Sequence, residues 1–265
     1  MRQDYSNALK NAINTIFMSN YFIDTNTNQI TFTDNRFYLT DEGQYLPSVT
    51  TILQAYPKDA HFYQWLKQVG EDADSIRDEA GRRGSIVHSL TERYDAGEPI
   101  NLLDNGGNIG YKLAEWAMFE RYVEFRQMHP LDVLFSEINL CNHSLGYAGT
   151  IDRVVNINDQ TVLIDIKTSN TIYDHYWLQL AAYRKLFTAL HGAQTIDAVA
   201  ILWLNAKTRT YDAKKVQGRG WQLIYRDVDE WVNDEALLDA TQKLWLAQNK
   251  AIKPKMNKYQ LNHKI

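Results

Sequence analysis

The sequence predicts an α/β fold, with a central sheet and helices packed on its faces. Three observations point there. Three β-like apolar runs follow one another over Val133–Leu140, Tyr147–Val155 and Val162–Thr168. A helical pattern over His175–Leu190 then separates the last of these from a further strand over Ile196–Leu204, the strand–helix–strand order of a sheet with a crossover. No Pro- or Gly-rich linker interrupts the chain, so residues 1–265 are expected to form one domain.

The remaining elements follow in order. Gln29–Leu39 alternates in polarity and breaks at Asp34-Asn35, which reads as a hairpin. Ser48 is a helix N-cap before Val49–Ala55, and Asp59 opens a second helix that carries Trp65 and ends near Gly70. Asp74–Tyr94 keeps a helical stripe of Ile76, Ala80, Arg83, Val87, Leu90 and Tyr94 despite Gly81 and Gly84. Asn108–Met128 predicts another helix, Trp221–Arg226 a strand, and Val228–Gln248 a last helix. Residues 1–46 are thus an N-terminal extension with a hairpin, 47–226 the core, and 227–265 a helix and tail.

Composition bounds the function. A chain of 265 residues buries enough surface to fold without staples. With 13 glycines, 5 prolines and 45% hydrophobic residues it is neither collagen-like nor disordered. Its one cysteine, Cys141, excludes a disulfide framework and an iron–sulfur cluster. The longest apolar stretch, Ala198–Leu204, is far short of a membrane span. The first residues resemble no signal or transit peptide, and a cytoplasmic location is expected. The formal charge of −4 argues mildly against a non-specific nucleic-acid binder. Yet Lys243, Lys250, Lys253, Lys255, Lys258 and Lys264 form a basic C-terminal segment with no acid after Thr241. Such a run is either a solvated surface or a phosphate-tracking arm.

The chemistry concentrates in Gly149-Thr150-Ile151-Asp152 and Leu163-Ile164-Asp165-Ile166-Lys167-Thr168. A two-residue turn at Asn158-Asp159 suits residues that tolerate positive φ. It places Asp152 opposite Asp165, with Cα atoms about 4.5–5.5 Å apart. Lys167 leaves the same face as Asp165, while Ile164 and Ile166 point to the core. A surface salt bridge on a half-exposed sheet is one reading. The other is a divalent cation held by two carboxylates that otherwise repel. The flanking Val162, Leu163, Ile164 and Ile166 favour burial, and with it the cation.

Two further pieces join them. Ala80, Gly84 and His88 share one helix face, so His88 projects above small residues as a third ligand. Gln179 and Tyr183 lie one helical turn apart; Tyr183 packs, and Gln179 is not needed for packing.

In this order the four pieces resemble the PD-(D/E)XK nuclease superfamily, in particular its RecB-type and mitochondrial genome maintenance exonuclease branch, which includes many phage exonucleases. The matching stretches are Arg83-Gly84-Ser85 to His88, Gly149 to Asp152, Asp165 to Thr168, and Gln179 to Tyr183. Pro47–Leu53 with Trp65 resembles that branch's lead-in segment. The resemblance spans roughly Pro47 to Leu204. It implies a restriction-endonuclease-like core with a central mixed sheet. It implies His88, Asp152, Asp165 and the Ile166 carbonyl as metal ligands. Lys167 would position or activate the attacking water. Gln179 would orient that water or a phosphate, and Tyr183 would support the helix. Glu137 is a candidate extra carboxylate. Arg82, Arg83, Thr168 and Ser169 lie beside these ligands and are candidates for gripping DNA phosphates. Some relatives carry an iron–sulfur cluster, which one cysteine cannot supply.

The function implied is hydrolysis of a DNA phosphodiester with one or two Mg²⁺ or Mn²⁺ ions, by an exonuclease acting on an end with single-stranded character. The 16 tyrosines and 7 tryptophans are either core or stacking surfaces for such a strand. An endonuclease of the same fold and a non-catalytic DNA-end-binding recombination module are the alternatives. For a phage-encoded chain, the expected location is the host cytoplasm.

Overall fold

The computed structural model describes residues 21–24, 29–33, 37–40, 44–192, 195–209, 215–250, 254 and 256–262. Its strands are β1 (Tyr21–Asp24), β2 (Gln29–Thr33), β3 (Phe37–Leu39), β4 (Tyr45–Pro47), β5 (Asp132–Asn142), β6 (Tyr147–Ile157), β7 (Gln160–Lys167), β8 (Ala198–Arg209), β9 (Lys215–Tyr225) and β10 (Met256–Gln260). Its α-helices are α1 (Val49–Ile52), α2 (Ala60–Val69), α3 (Ala73–Asp95), α4 (Leu113–Met128), α5 (Asp174–His191) and α6 (Val228–Gln248).

The central sheet runs in the order β5-β6-β7-β8-β9. Strands β5, β6 and β7 are antiparallel neighbours, β7 and β8 are parallel, and β8 and β9 are antiparallel. The sheet is therefore mixed, and α5 is the crossover that its one parallel pair requires. Two apolar layers cover it. On one face α1, α5 and α6 pack through residues such as Ile52, Leu186 and Leu238 against Leu163 and Ile201. On the other, α3 and α4 pack Val87, Tyr122 and Phe125 against Ile164, Ile166 and Leu202.

Local chemistry sets the element ends. Ser48 Oγ accepts the Thr51 N–H at 3.1 Å and starts α1, which continues as a 3₁₀ turn over Leu53–Ala55. Asp59 Oδ1 accepts the Phe62 N–H at 2.8 Å and starts α2. Helix α3 passes through both Gly81 and Gly84.

Two expected elements differ. Helix α4 starts at Leu113, not at Asn108. The Asp104 carboxylate accepts the Gly106 and Asn108 N–H groups, each at 2.8 Å. It thereby holds residues 104–108 in a turn. The expected hairpin over Gln29–Leu39 does not form as one unit. Strand β2 pairs with β1 on one side and β10 on the other, whereas β3 pairs with β4. Alternating polarity marks a strand and its buried face but not its partner. The Asp34-Asn35 break lies outside the described residues. The C-terminal basic segment is in part the strand β10, laid against β2.

Candidate active site

Strands β6 and β7 are joined as their turn residues predict. Asn158 and Asp159 both have positive φ, 51° and 63°, which matches the twist of a two-residue hairpin. The ladder runs from Ile157–Gln160 to Arg153–Ile164. One step beyond that last pair, side chain replaces backbone: Asp152 Oδ2 accepts the Ile166 N–H at 2.7 Å. The opening of the ladder is where the site lies.

His88 reaches this opening from α3. Its Nε2 is 3.0 Å from the Ile166 carbonyl oxygen. A carbonyl only accepts, so Nε2 carries hydrogen and Nδ1 faces inward. Nδ1 lies 3.5 Å from Asp152 Oδ1 and 3.7 Å from Glu137 Oε1. Ligand atoms of His88, Glu137 and Asp152 all fall within 4.8 Å of one another. Glu137 attains its place through a left-handed backbone, φ 48°, in β5.

Asp165 stands beside this trio, in contact with Lys167. Its carboxyl is 1% exposed, and Oδ2 is 2.6 Å from Lys167 Nζ, close in distance but not aligned as a hydrogen bond. Lys167 Nζ donates to Gln179 Oε1 at 2.9 Å, and Gln179 Nε2 donates to the Tyr183 hydroxyl at 2.8 Å. The Tyr176 ring lies under the ammonium, centroid 4.3 Å away.

Charge and burial compete throughout. Burial opposes protonation of His88, but the Asp152 and Glu137 carboxylates outweigh it and lift the imidazole to about 10. Burial disfavours the Asp152 anion, yet His88 and Lys167 hold that carboxyl below the usual range. Asp165 goes the other way: burial, and the Asp152 charge, push it up to about 6 against the pull of Lys167. Burial alone would discharge Lys167, but Asp165 and Asp152 keep its pKa raised.

The sequence did not single out Arg153, which ties the site to the core. It is 2% exposed. Its guanidinium donates to Asp95 Oδ2 at 2.7 Å, the Asp152 carbonyl at 2.6 Å, Thr91 Oγ1 at 3.1 Å and Glu137 Oε1 at 3.3 Å. One signal was present: an arginine inside the apolar run Ile151–Val155 must be paired to be buried. Gly149, which opens the Gly149–Asp152 stretch singled out in the sequence, has Tyr183 pressed against its backbone, a contact the sequence did not announce.

The four candidate phosphate contacts have different surroundings. Arg82 is engaged with Glu79 at 2.9 Å and with Glu115. Arg83 is half-buried and makes no ion pair among the described residues, and its Nε has no hydrogen-bond partner. Thr168 is buried beneath Gly84. Ser169 Oγ donates to the Thr171 carbonyl at 2.7 Å.

His88, Glu137, Asp152, Asp165, Lys167 and Gln179 line a cleft of about 810 Å³ that also reaches Tyr38, Lys58 and His175, whereas none of the four candidate phosphate contacts lines it. The residues fit a divalent cation: one nitrogen and two carboxylates converge, with Nδ1 of His88 turned towards the carboxylates, and a cation bound there would displace the proton that those carboxylates hold on the imidazole.

Comparison with solved structures finds distant likenesses. An inferred exonuclease from Eubacterium rectale is 15% identical, with TM-score 0.40, over 78% of this chain and 82% of that one. An alkaline exonuclease from Laribacter hongkongensis is 13% identical, with TM-score 0.33, over 77% and 89%. Comparison with curated proteins gives no significant match. Among the described residues no helix is long and apolar enough to cross a membrane. The model of one family matches residues 58–258, a stretch that takes in the cation-site trio, Lys167 and the whole central sheet. By that match the chain belongs to the PD-(D/E)XK nuclease superfamily.

Proposed function

We propose that this nuclease is a deoxyribonuclease that depends on Mg²⁺ or Mn²⁺ and hydrolyses phosphodiester bonds from a DNA end. The observation that carries the metal dependence is the approach of His88, Glu137 and Asp152 ligand atoms to within 4.8 Å of one another, beside Lys167. Action from an end is supported by the resemblance of the Arg83–His88 segment to the exonuclease branch.

A bound divalent cation would supply Lewis acidity: it lowers the pKa of water and offsets the charge gained by the phosphate. His88, Glu137 and Asp152 would hold it, with the buried Asp165 alongside. The chain's own residues do the rest. Lys167 brings a fixed positive charge and proton donor to the reacting phosphate. Gln179 directs the Lys167 ammonium, and Tyr183 directs Gln179. Arg83, half-buried and without an ion-pair partner among the described residues, would reach a phosphate through its guanidinium end.

The test is digestion of end-labelled single-stranded and duplex DNA with Mg²⁺, Mn²⁺ or EDTA, wild type beside Lys167→Ala. Metal-dependent shortening from one end, lost in the variant, is expected. Cleavage of a closed circle would make it an endonuclease. DNA binding without cleavage in any metal would make it an end-binding module.

A further inference from the structure

The N-terminal end of α5 carries an aromatic array that the hydrolytic chemistry does not use. It begins at Tyr176, under the Lys167 ammonium. His175 stands edge-on to Tyr176, with centroids 4.7 Å apart. Tyr173 stacks on His175, with centroids 5.5 Å apart and planes 19° apart. The array therefore runs from the cleft, which His175 and Tyr176 line, to solvent, where Tyr173 is 41% exposed.

Packing does not account for its outer half. Tyr176 packs against the apolar core on the α5 face of the sheet, but Tyr173 and His175 belong to neither core cluster. Two lysines, Lys58 and Lys167, lie near His175, with Asp174 beside it in the chain. Lys58 lines the same cleft and makes no ion pair among the described residues. Burial, with Lys58 and Lys167, holds His175 neutral, its pKa down at about 4.

We infer that Tyr173 and His175 are a stacking platform for an unpaired nucleobase of the substrate strand, with Lys58 meeting an adjoining phosphate. This rests on the nuclease reading above and gives its substrate a strand character. An aromatic face accepts any base, so the platform is tolerant of sequence. A base inside a duplex is already covered on both faces, so only an unstacked one can use it. Lys58 supplies a point charge suited to a phosphate and indifferent to base identity.

The test is binding without cleavage, by fluorescence anisotropy in Ca²⁺. The probes are a short labelled oligothymidylate and an abasic oligomer with the same number of phosphates. Wild type is expected to prefer the strand with bases by about tenfold, near the low end of base–aromatic stacking. Tyr173→Leu, at an exposed position, should lose that preference and keep its affinity for the abasic strand. Tyr173→Trp should restore it. Equal wild-type affinity for both strands, or an unchanged preference in Tyr173→Leu, would overturn the platform and leave the nuclease reading standing. Failure of wild type to bind either strand would overturn both.

Discussion

The backbone of Gly149 runs so close to Tyr183 that a Cβ at residue 149 would lie 2.6 Å from the ring's Cε1. Tyr183 in turn holds Gln179, which holds Lys167. Gly149→Ala is therefore expected to act on catalysis through two intermediaries. The ring must shift, at a cost of about 1–3 kcal/mol in stability. Displacing Lys167 by up to about 1 Å should lower kcat by up to about 100-fold. Thermal melting and single-turnover cleavage would measure the two effects, and a folded Gly149→Ala protein with full activity would break the chain of contacts.

Lys167→Ala should abolish cleavage and spare the cation site. Lys167 touches Asp165 and Gln179, not the cluster of His88, Glu137 and Asp152. Titration calorimetry with Mn²⁺ should give an affinity within about threefold of wild type, whereas His88→Ala should lose it. Equal loss in both variants would place Lys167 in the cation site itself.

Arg153→Met should be the most destabilising change near the site. It strips a partner from buried Asp95 and from Glu137. Breaking a buried pair on one side costs about 3–5 kcal/mol. Asp95 retains Arg126 and Tyr122, which places the expectation at the low end. Urea unfolding would measure it. Mn²⁺ affinity should fall as well, because Glu137 loses its anchor.

His175 predicts an acid-side loss of stability. Its folded pKa is about 4, below the ordinary 6.5. The folded state thus binds fewer protons than the unfolded state between those values, and the stability present above pH 6.5 is lost as pH falls towards 4. Urea unfolding of wild type and His175→Gln across this range should show a steeper decline in wild type. Parallel declines would refute the assignment.

Truncation after Lys250 tests the basic segment. It removes four lysines and with them β10, the strand that pairs with β2. If the segment tracks phosphates, DNA binding should weaken and the slope of log affinity against log salt should flatten by up to about four times 0.7 for a single strand. An unchanged slope with a lowered melting temperature would make the segment structural.

Much of this was legible in the chain. Asn158-Asp159 announced the turn, the turn set the register, and the register brought Asp152 to the end of β7 where Asp165 and Lys167 stand. His88, Gln179 and Tyr183 were legible from helical spacing. Glu137 stood only as an extra carboxylate, because a left-handed glutamate within a strand has no sequence signature. Arg153 stayed hidden because its partners, Asp95 and Thr91, come from a distant helix. An N-terminal antiparallel hairpin does form, but as β1 with β2 rather than across Asp34-Asn35, and the other neighbour of β2 is β10, more than 200 residues away and so invisible to local patterning.

The bond from His88 to the Ile166 carbonyl has a consequence for the cell that makes this protein. Helix α3 is fixed to the sheet by that bond together with the packing of Val87 and the Arg153 contacts to Thr91 and Asp95, and Gln179 is brought to Lys167 by the crossover helix that leads from β7 to β8. The candidate ligands and the lysine come from four separate elements, α3, β5, β6 and β7, and meet only where these pack together. A nascent polypeptide still on the ribosome, or one partly unravelled by damage, lacks the assembled scissors. The blade exists only once the handle is complete, so the nuclease stays inert until the elements from α3 to β8 have assembled.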